Sequence, residues 1–218
     1  MPHGVIFDMD GVLVDSAAPH HESWRLLARR HGRELSPESF RQSFGRTSRD
    51  IIRTIWGESV SAEDLGRYDA EKEAIYRDLI RGNVPLMPGC RELLSALKAA
   101  GFWLAVATSG PPENLDLVLD QGEIRTCFQV TVHGFDIRRG KPAPDCFQLA
   151  ARRLALAPEA CVVVEDAPVG IQAGVAAGMP VIALAGTHPP EPLLAAGAKC
   201  VVRELTEITP GLIETLLR

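Results

Sequence analysis

The 218-residue chain has no uninterrupted apolar run close to the ~20 residues that a membrane-spanning helix requires. Its first residues, MPHGVIFDMD, lack the long apolar region of a secretory signal, because Asp8 interrupts them early. A basic excess is also missing: 23 Lys and Arg stand against 28 Asp and Glu, for a net charge of -5. Nucleic-acid-binding proteins usually carry a basic surface. We therefore expect a soluble, cytoplasmic protein that binds neither membranes nor nucleic acids.

Metal-binding cysteine motifs are absent as well. The five cysteines are odd in number and widely spaced, and no CxxC pair or Cys/His cluster occurs. This pattern argues against a zinc site and against a disulfide framework. Since most of them stand beside apolar residues, we expect free and largely buried thiols at Cys90, Cys127, Cys146, Cys161 and Cys200.

Short apolar runs are the clearest structural signal that the sequence does contain. They are almost entirely apolar and end in polar or glycine-containing turns, at 5–7, 104–107, 161–164 and 181–184. Such runs are typical of central parallel strands that are covered on both faces. Helical patterns lie between and after them, at 91–100, 114–121, 145–156, 170–177 and 205–218. The alternation predicts an α/β fold with an open, mostly parallel sheet and right-handed crossovers.

One long stretch breaks this alternation. Residues 16–83 show no strand pattern, only amphipathic helical segments such as HESWRLLARRHG and AEDLGRYDAEKEAIYRDLIRG. A stretch of this length after the first strand is too long for a single crossover helix, so it predicts an inserted helical domain. We expect a core domain of 1–15 and 84–218 and an all-helical cap domain of 16–83. The segment NVPLMPG at 83–89 is rich in Pro and Gly, as a hinge would be.

Polar residues follow the apolar runs, and ligands of open parallel sheets bind outside the carboxyl ends of the strands. Clustered carboxylates repel each other and require a cation, and an all-oxygen set without histidine or thiolate favours Mg²⁺. A lysine and a hydroxyl group beside them can hold phosphoryl oxygens, which favours phosphoryl transfer. The residues of this predicted site are Asp8, Asp10, Thr108, Ser109, Lys141, Glu165 and Asp166.

Four segments resemble, in order, the motifs of the haloacid-dehalogenase-like hydrolase superfamily. They are DMDGVLVDS at 8–16, the Thr108-Ser109 pair, GKPAPD at 140–145 and VVEDAPVGIQAG at 163–174. The helical insertion lies where members with a helical cap carry theirs. The chain is thus similar to members of the phosphoglycolate phosphatase and β-phosphoglucomutase type. The resemblance implies a Rossmann-like core sheet with a helical cap that sets substrate specificity.

The resemblance also implies a role for each motif residue. Asp8 would attack phosphorus and become an aspartyl phosphate, and Asp10 would act as general acid and base. Thr108 and the Ser109 N–H would bind phosphate, while Lys141 would neutralise both the phosphate and Asp8.

The implied Mg²⁺ ligands are Asp8, the Asp10 carbonyl group and Asp166, with Glu165 binding directly or through water. We interpret Gly170, Gly174 and Gly178 as positions of close helix–sheet packing. Each motif also has an alternative with no catalytic role. Asp8 and Asp10 would then form a capped turn, and Thr108 would only stabilise a turn. Lys141 would be a surface lysine, and Glu165–Asp166 would be a helix N-cap.

Two residues bear on the reaction class. Dehalogenases of the superfamily lack the second aspartate, and Asp10 is present here. Phosphonate hydrolases of the superfamily form a Schiff base with a lysine of the cap. Lys72 is the only lysine of 16–83, and we interpret it as a solvated residue on a charged helical face. A phosphatase or a phosphomutase remains.

Within the predicted cap, His20 and Trp24 match positions of β-phosphoglucomutase. Arg46 and Arg49 lie in a segment that resembles the substrate-contacting cap loop of sugar-phosphate enzymes. These four residues are therefore candidate substrate contacts. The alternatives are a core or surface role for His20 and ordinary solvated charges for the two arginines.

The loop after the second apolar run favours hydrolysis. Residues 110–113 are Gly-Pro-Pro-Glu, where the mutase pattern has Ser-Lys-Asn, whose lysine helps to retain a second phosphate. We predict a Mg²⁺-dependent phosphatase, monomeric or homodimeric, that hydrolyses a small phosphorylated metabolite through an aspartyl phosphate. A sugar phosphate or 2-phosphoglycolate is the expected substrate. A β-phosphoglucomutase-type mutase is the alternative, and a non-enzymatic scaffold is a more remote one.

Overall fold

The computed structural model describes residues 2–35 and 48–218. The chain divides into two compact units, one formed by Met1–Asp15 with Val84–Arg218 and the other by Ser16–Asn83. Within the described residues, no helix is both long enough and apolar enough to cross a membrane.

The first unit is built on a six-stranded sheet in the order β3-β2-β1-β4-β5-β6. All neighbouring strands pair in parallel, which confirms the predicted α/β class. Strand order reverses at β1, which lies between β2 and β4, and such switch points are where parallel sheets bind ligands. The strands are Gly4–Phe7 (β1), Trp103–Ala107 (β2), Val130–Val132 (β3), Cys161–Glu165 (β4), Val181–Leu184 (β5) and Cys200–Val202 (β6).

The second unit is helical in the residues that the structure describes. Its helices are Ala17–Arg30 (α1), Ser48–Trp56 (α2) and Ala62–Ile80 (α3). Helix α3 begins after Ser61, whose Oγ accepts a hydrogen bond from Asp64 N at 3.0 Å and so satisfies a free donor of the first turn. Apolar faces of the helices pack on one another through Leu27, Ile52 and Ile75.

The sheet of the first unit is covered by the helices that connect its strands. Strands β1, β4 and β5 are buried along their whole length, as the apolar runs predicted. All five cysteines are free, and three of them are buried. The helices are Cys90–Ala99 (α4), Pro112–Gln121 (α5), Asp145–Arg153 (α6), Pro168–Ala176 (α7), Pro190–Ala195 (α8) and Pro210–Leu216 (α9).

Some elements were missed or misplaced. Strands β3 and β6 have three residues each and are only partly buried, so they lack a long apolar run. Helix α8 begins at Pro190 and has another proline in its first turn, a composition that resembles a loop. The predicted helix at 205–218 is wrong in its first part. Because proline has no N–H and Thr209 caps Leu212 N at 3.2 Å, the helix starts only at Pro210.

Helix α7 packs unusually close to the sheet at Gly174. A Cβ atom added there would lie 2.6 Å from Val181 Cγ2 and 3.4 Å from Val163 Cβ. Both valines are buried in neighbouring strands and have stiff side chains. The predicted packing role of Gly174 is therefore confirmed.

We expect Gly174→Ala to lower the free energy of unfolding by about 1–2 kcal/mol, because overpacking outweighs the gain in helix propensity. Urea unfolding followed by circular dichroism measures this change. Gly186→Ala is the control, since nothing lies within 4 Å of an added Cβ there. Equal stability of Gly174→Ala and the unsubstituted chain would contradict the close packing.

Candidate active site

Three of the predicted carboxylates meet one lysine at the carboxyl ends of the central strands. Asp8 directly follows β1, and Glu165 is the last residue of the neighbouring strand β4. Lys141 Nζ donates hydrogen bonds to Asp8 Oδ1 at 2.5 Å and to Glu165 Oε1 at 2.7 Å. Asp8, Glu165 and Asp166 each offer an oxygen atom within 4.8 Å of the others. All four side chains are buried or nearly so.

The second oxygen of Glu165 fixes the turn into helix α7. Oε2 accepts the N–H groups of Asp166 at 2.7 Å and Ala167 at 2.8 Å. In the first turn of α7, a Cβ atom added at Gly170 would lie 1.6 Å from Glu165 Oε1. Gly170 thus leaves room for the Glu165 carboxylate, so the close packing of helix α7 on the sheet also shapes the site. Glu165 joins the helix start to Lys141.

Asp166 lies against the loop that follows β1. Gly11 has a φ of +75°, and a Cβ atom added there would lie 2.1 Å from Asp166 Oδ2. Only glycine satisfies both the left-handed backbone and this close approach. The Asp166 carboxylate is therefore packed directly on the backbone of the Asp8-to-Gly11 turn.

Burial dominates the electrostatics of the cluster. It raises the pKa of Asp8 to about 7, with the Lys141 ammonium opposing the rise and the Glu165 and Asp10 carboxylates adding to it. Burial also raises the pKa of Asp166 well above its usual range, and Glu165 and Asp8 add to the effect. Burial alone would lower the pKa of Lys141, but Asp8 and Glu165 raise it above its ordinary value.

The donor set suits a hard divalent cation. Three buried carboxyl groups lie beside the Lys141 ammonium, and burial together with their mutual repulsion raises the pKa of Asp8 and of Asp166. A divalent cation bound among them would stabilise their charged forms. The three residues supply only oxygen atoms, which Mg²⁺ prefers. The residues present therefore fit the Mg²⁺ ion that the sequence predicts at this place.

The second motif lies at the end of β2, next to β1. Thr108 is buried, its N–H bonds to Val132 O at 3.0 Å, and its Oγ1 accepts Gly110 N at 3.0 Å. The Ser109 side chain is exposed. Asp10 is half-buried, and it acts on Asp8 through its charge. The structure thus places these predicted residues on the loops that follow adjacent strands.

The interpretation of Lys72 as a solvated residue is wrong. Its side chain in helix α3 is buried, and Nζ lies 2.8 Å from both His20 Nδ1 and Glu73 Oε1. The ammonium also lies 5.4 Å and 5.5 Å from the ring centroids of Trp24 and Tyr76. The two aromatic rings attract the ammonium and Glu73 compensates its charge, which makes burial of a lysine tolerable.

The other candidate cap residues differ in exposure. His20 stacks on Tyr76 with ring centroids 4.0 Å apart, and Trp24 is buried in the core of the helical unit. Arg49 is exposed on helix α2, whereas Arg46 lies outside the described residues.

Sequence reasoning also missed the loop after β5. His188 Nδ1 lies 3.3 Å from Asp166 O. The signal was present, because polar residues at strand ends had already identified the other site loops. The same rule applied to the run at 181–184 would have included the loop that carries His188.

Comparisons with known proteins identify the family of this chain. The model of the haloacid dehalogenase-like hydrolase family matches residues 2–178. Hexitol phosphatase A of Escherichia coli is 37% identical over 83% of this chain and 82% of its own length. The phosphorylated carbohydrates phosphatase of Thermotoga maritima is 32% identical over 91% of this chain and 93% of its own length.

A solved structure is similar to this chain over nearly its whole length. The crystal structure of a family IA, variant 3 HAD hydrolase from Entamoeba histolytica superposes with a TM-score of 0.92. It is 28% identical and covers 99% of both chains. The chain therefore belongs to the haloacid dehalogenase-like hydrolases, and it is an enzyme of their phosphatase type.

Proposed function

We propose that this protein is a Mg²⁺-dependent phosphatase that hydrolyses a sugar phosphate or a similarly small phosphorylated metabolite through a phosphorylated Asp8. The observation that carries the proposal is the contact of Lys141 with Asp8 at 2.5 Å, inside a buried carboxylate cluster at the switch point of the sheet. This contact holds a carboxylate where it can attack an incoming phosphorus atom.

Asp8 supplies the nucleophile. Burial favours its protonated form, and Lys141 opposes that effect by stabilising the carboxylate. Asp8 forms a bond to phosphorus as the ester oxygen leaves, and Asp10 gives that oxygen a proton. Asp10 then takes a proton from the water that attacks the aspartyl phosphate, which releases inorganic phosphate and restores both carboxyl groups.

Lys141, the Thr108 hydroxyl and the Ser109 N–H would bind the remaining phosphoryl oxygens. Mg²⁺ would be held by Asp8, the Asp10 carbonyl group and Asp166, with Glu165 acting directly or through water. When bound, the ion supplies positive charge that offsets the negative charge of the transferring phosphoryl group.

The substrate class rests on the relatives and on the helical unit. Two relatives are similar to this chain over most of their length. They are named hexitol phosphatase A and phosphorylated carbohydrates phosphatase. We propose that 1–15 and 84–218 form the catalytic core and that 16–83 form a cap that selects the substrate. His20, Trp24, Arg46 and Arg49 are its candidate contacts. A cytoplasmic location and a monomeric or homodimeric state stay predictions.

We expect Gly11→Ala to weaken Mg²⁺ binding at least ~10-fold, because the added methyl group displaces the Asp166 carboxylate. Calorimetric titration of Mg²⁺ measures the affinity, and EDTA should abolish phosphate release by the unsubstituted enzyme until Mg²⁺ is restored. Gly101→Ala is the matched control: its φ is +85°, but nothing lies within 4 Å of an added Cβ. Full activity after thorough chelation would contradict the cation site.

The two aspartates should behave differently when their charge is removed. Asp8→Asn keeps the size of the side chain but removes the nucleophile, so phosphate release should fall at least ~10³-fold with the fold intact. Asp10→Asn should still form phospho-enzyme from p-nitrophenyl phosphate, whose leaving group needs little protonation, yet turn over slowly. Mass spectrometry locates the phosphoryl group. A phosphoryl group trapped on a residue other than Asp8 would refute the assignment.

Hydrolysis should exceed mutase activity. A mutase must hold a bisphosphate intermediate, and the loop at 110–113 has Pro111, Pro112 and Glu113 where a lysine would be needed. We expect phosphate release from sugar phosphates such as hexitol phosphates. No glucose 6-phosphate should form from β-glucose 1-phosphate, even with glucose 1,6-bisphosphate added. A coupled glucose-6-phosphate dehydrogenase assay detects the mutase reaction, and NADPH formation faster than phosphate release would favour the mutase instead.

A further inference from the structure

The loop that follows β2 is held by the end of β3 and by the turn after it. Thr108 N donates to Val132 O at 3.0 Å. Gly134 N donates to Gly110 O at 2.9 Å. The two bonds lie on either side of Ser109, whose N–H is a proposed phosphate donor. Both neighbours of that N–H are therefore fixed by backbone groups of the same adjacent segment.

Gly134 also packs directly on the backbone of Ser109. A Cβ atom added at Gly134 would lie 2.3 Å from Ser109 O and 3.1 Å from Ser109 C. Backbone atoms cannot rotate out of such a contact as the end of a flexible side chain can. Glycine at position 134 therefore permits the close approach of the two backbone segments. The contact confines the Ser109 carbonyl oxygen to one direction.

The peptide bond between Ser109 and Gly110 extends this constraint to Thr108. Because peptide groups are planar and trans, a fixed Ser109 carbonyl group also fixes the Gly110 N–H. That N–H donates to Thr108 Oγ1 at 3.0 Å. A hydroxyl group that accepts one hydrogen bond can still donate its own hydrogen, here to a phosphoryl oxygen. The turn after β3 therefore orients both proposed phosphate donors of the loop, the Ser109 N–H and the Thr108 hydroxyl.

An ion pair fixes the turn itself. Asp136 Oδ2 accepts His133 N at 3.0 Å, which closes the turn at 133–136. Arg153, the last residue of helix α6, donates to Asp136 Oδ1 at 2.9 Å and to Oδ2 at 3.1 Å. The same guanidinium donates to Thr131 O in β3 at 2.7 Å. Its planar donors thus join the turn, the strand and the helix in one fixed geometry.

The position of this ion pair matters more than its contribution to stability. The Arg153 side chain is 40% exposed, and partly exposed ion pairs contribute little to the free energy of unfolding. The hydrogen bonds from Arg153 lower the pKa of Asp136, so its carboxylate stays charged at neutral pH and keeps both acceptor oxygens. Loss of the pair should therefore loosen the turn, and with it the loop after β2, without unfolding the domain.

We propose that Gly134, Asp136 and Arg153 are positioning residues that hold the loop after β2 in the orientation that binds the phosphoryl group. This inference rests on the proposed phosphatase function. It adds the turn after β3 to the segments that build the site, and it assigns that turn a part in phosphate affinity and none in cation affinity.

The first test is calorimetric titration of inorganic phosphate into the full-length protein at saturating Mg²⁺. Gly134→Ala displaces the Ser109 carbonyl group, and it should weaken phosphate binding about 10-fold, the scale of one hydrogen bond to a charged group. Its affinity for Mg²⁺, titrated separately, should stay within about twofold of the unsubstituted value, below the effect of one such bond. Gly66→Ala is the matched control, because nothing lies within 4 Å of a Cβ atom added at that exposed position.

The ion pair is tested by the same phosphate titration. Arg153→Met keeps much of the apolar stem and removes the guanidinium, and it should weaken phosphate binding about fivefold. Arg125→Met is the matched control, because Arg125 is 41% exposed and also bonds to two carboxylates, those of Asp116 and Asp120.

Asp136 allows a rescue experiment. Asp136→Asn keeps one acceptor oxygen for the His133 N–H, so it should bind phosphate more tightly than Asp136→Ala. Because Asp136 and Arg153 act as one unit, the double variant of Asp136→Ala and Arg153→Met should lose no more affinity than the weaker-binding single variant.

Steady-state kinetics with p-nitrophenyl phosphate separates positioning from general damage. The KM of Gly134→Ala should rise about 10-fold with a smaller change in kcat, because the loop binds phosphoryl oxygens in the substrate as well as in the transition state. The Mg²⁺ concentration for half-maximal activity should stay unchanged.

Unchanged phosphate affinity in both Gly134→Ala and Arg153→Met would overturn the inference, as would an equal loss of Mg²⁺ affinity. If Gly134→Ala does not fold, Arg153→Met decides by the same measurements, and unfolding of both would show a structural role and overturn the inference as well. An unsubstituted enzyme that neither binds phosphate nor releases it from sugar phosphates would instead contradict the proposed function itself.

Discussion

The contact of one buried ammonium with two buried carboxylates is the constraint on which the rest of the site depends. Lys141 bonds Asp8 and Glu165 together at 2.5 Å and 2.7 Å, although a third carboxylate, Asp166, lies within reach. Removing one partner of a buried ion pair costs roughly 3–5 kcal/mol, because the remaining charge is left unpaired. Lys141 therefore stabilises the charged form of Asp8 against burial and against the neighbouring carboxyl groups. The three acidic residues offer oxygen ligands that fit a divalent cation.

Strand order determines which groups can share this site. Because β1 lies between β2 and β4, the residues that end these strands are separated by about one strand spacing, ~4.8 Å. Asp8, Thr108 and Glu165 therefore become neighbours, although they are far apart in the sequence. Glycine completes the arrangement: Gly11 and Gly170 let two carboxylates approach the backbone more closely than any side chain would allow. Close approach also excludes water, which strengthens every charge interaction in the cluster.

An element of the fold or a site residue could be predicted where its signal lies in consecutive residues, and not where it depends on a contact between residues far apart in the sequence. The central strands could be predicted, since burial on both faces leaves a continuous apolar run, and the polar residues at their ends marked the site. Strands β3 and β6 are too short and too exposed to leave such a run. The burial of Lys72 could not be predicted from its neighbours. Its partner His20 lies 52 residues away, and the flanking residues of α3 form an ordinary charged pattern.

The burial of Lys72 gives a different reason against phosphonate hydrolysis, but phosphonate hydrolysis is still disfavoured. A solvated lysine would lack the shielded surroundings that a Schiff-base lysine needs. Lys72 is only 3% exposed, so lack of shielding does not exclude it from that role. The contacts supply a different reason. Nζ is bound to Glu73 and lies against His20, beneath the rings of Trp24 and Tyr76, so its contacts are satisfied inside the helical unit. A Schiff base would break the ion pair and leave the Glu73 carboxylate, itself largely buried, without its cation. Lys72 of α3 is thus better suited to holding His20 of α1 in place than to attacking a carbonyl group, which is consistent with phosphate ester hydrolysis at Asp8.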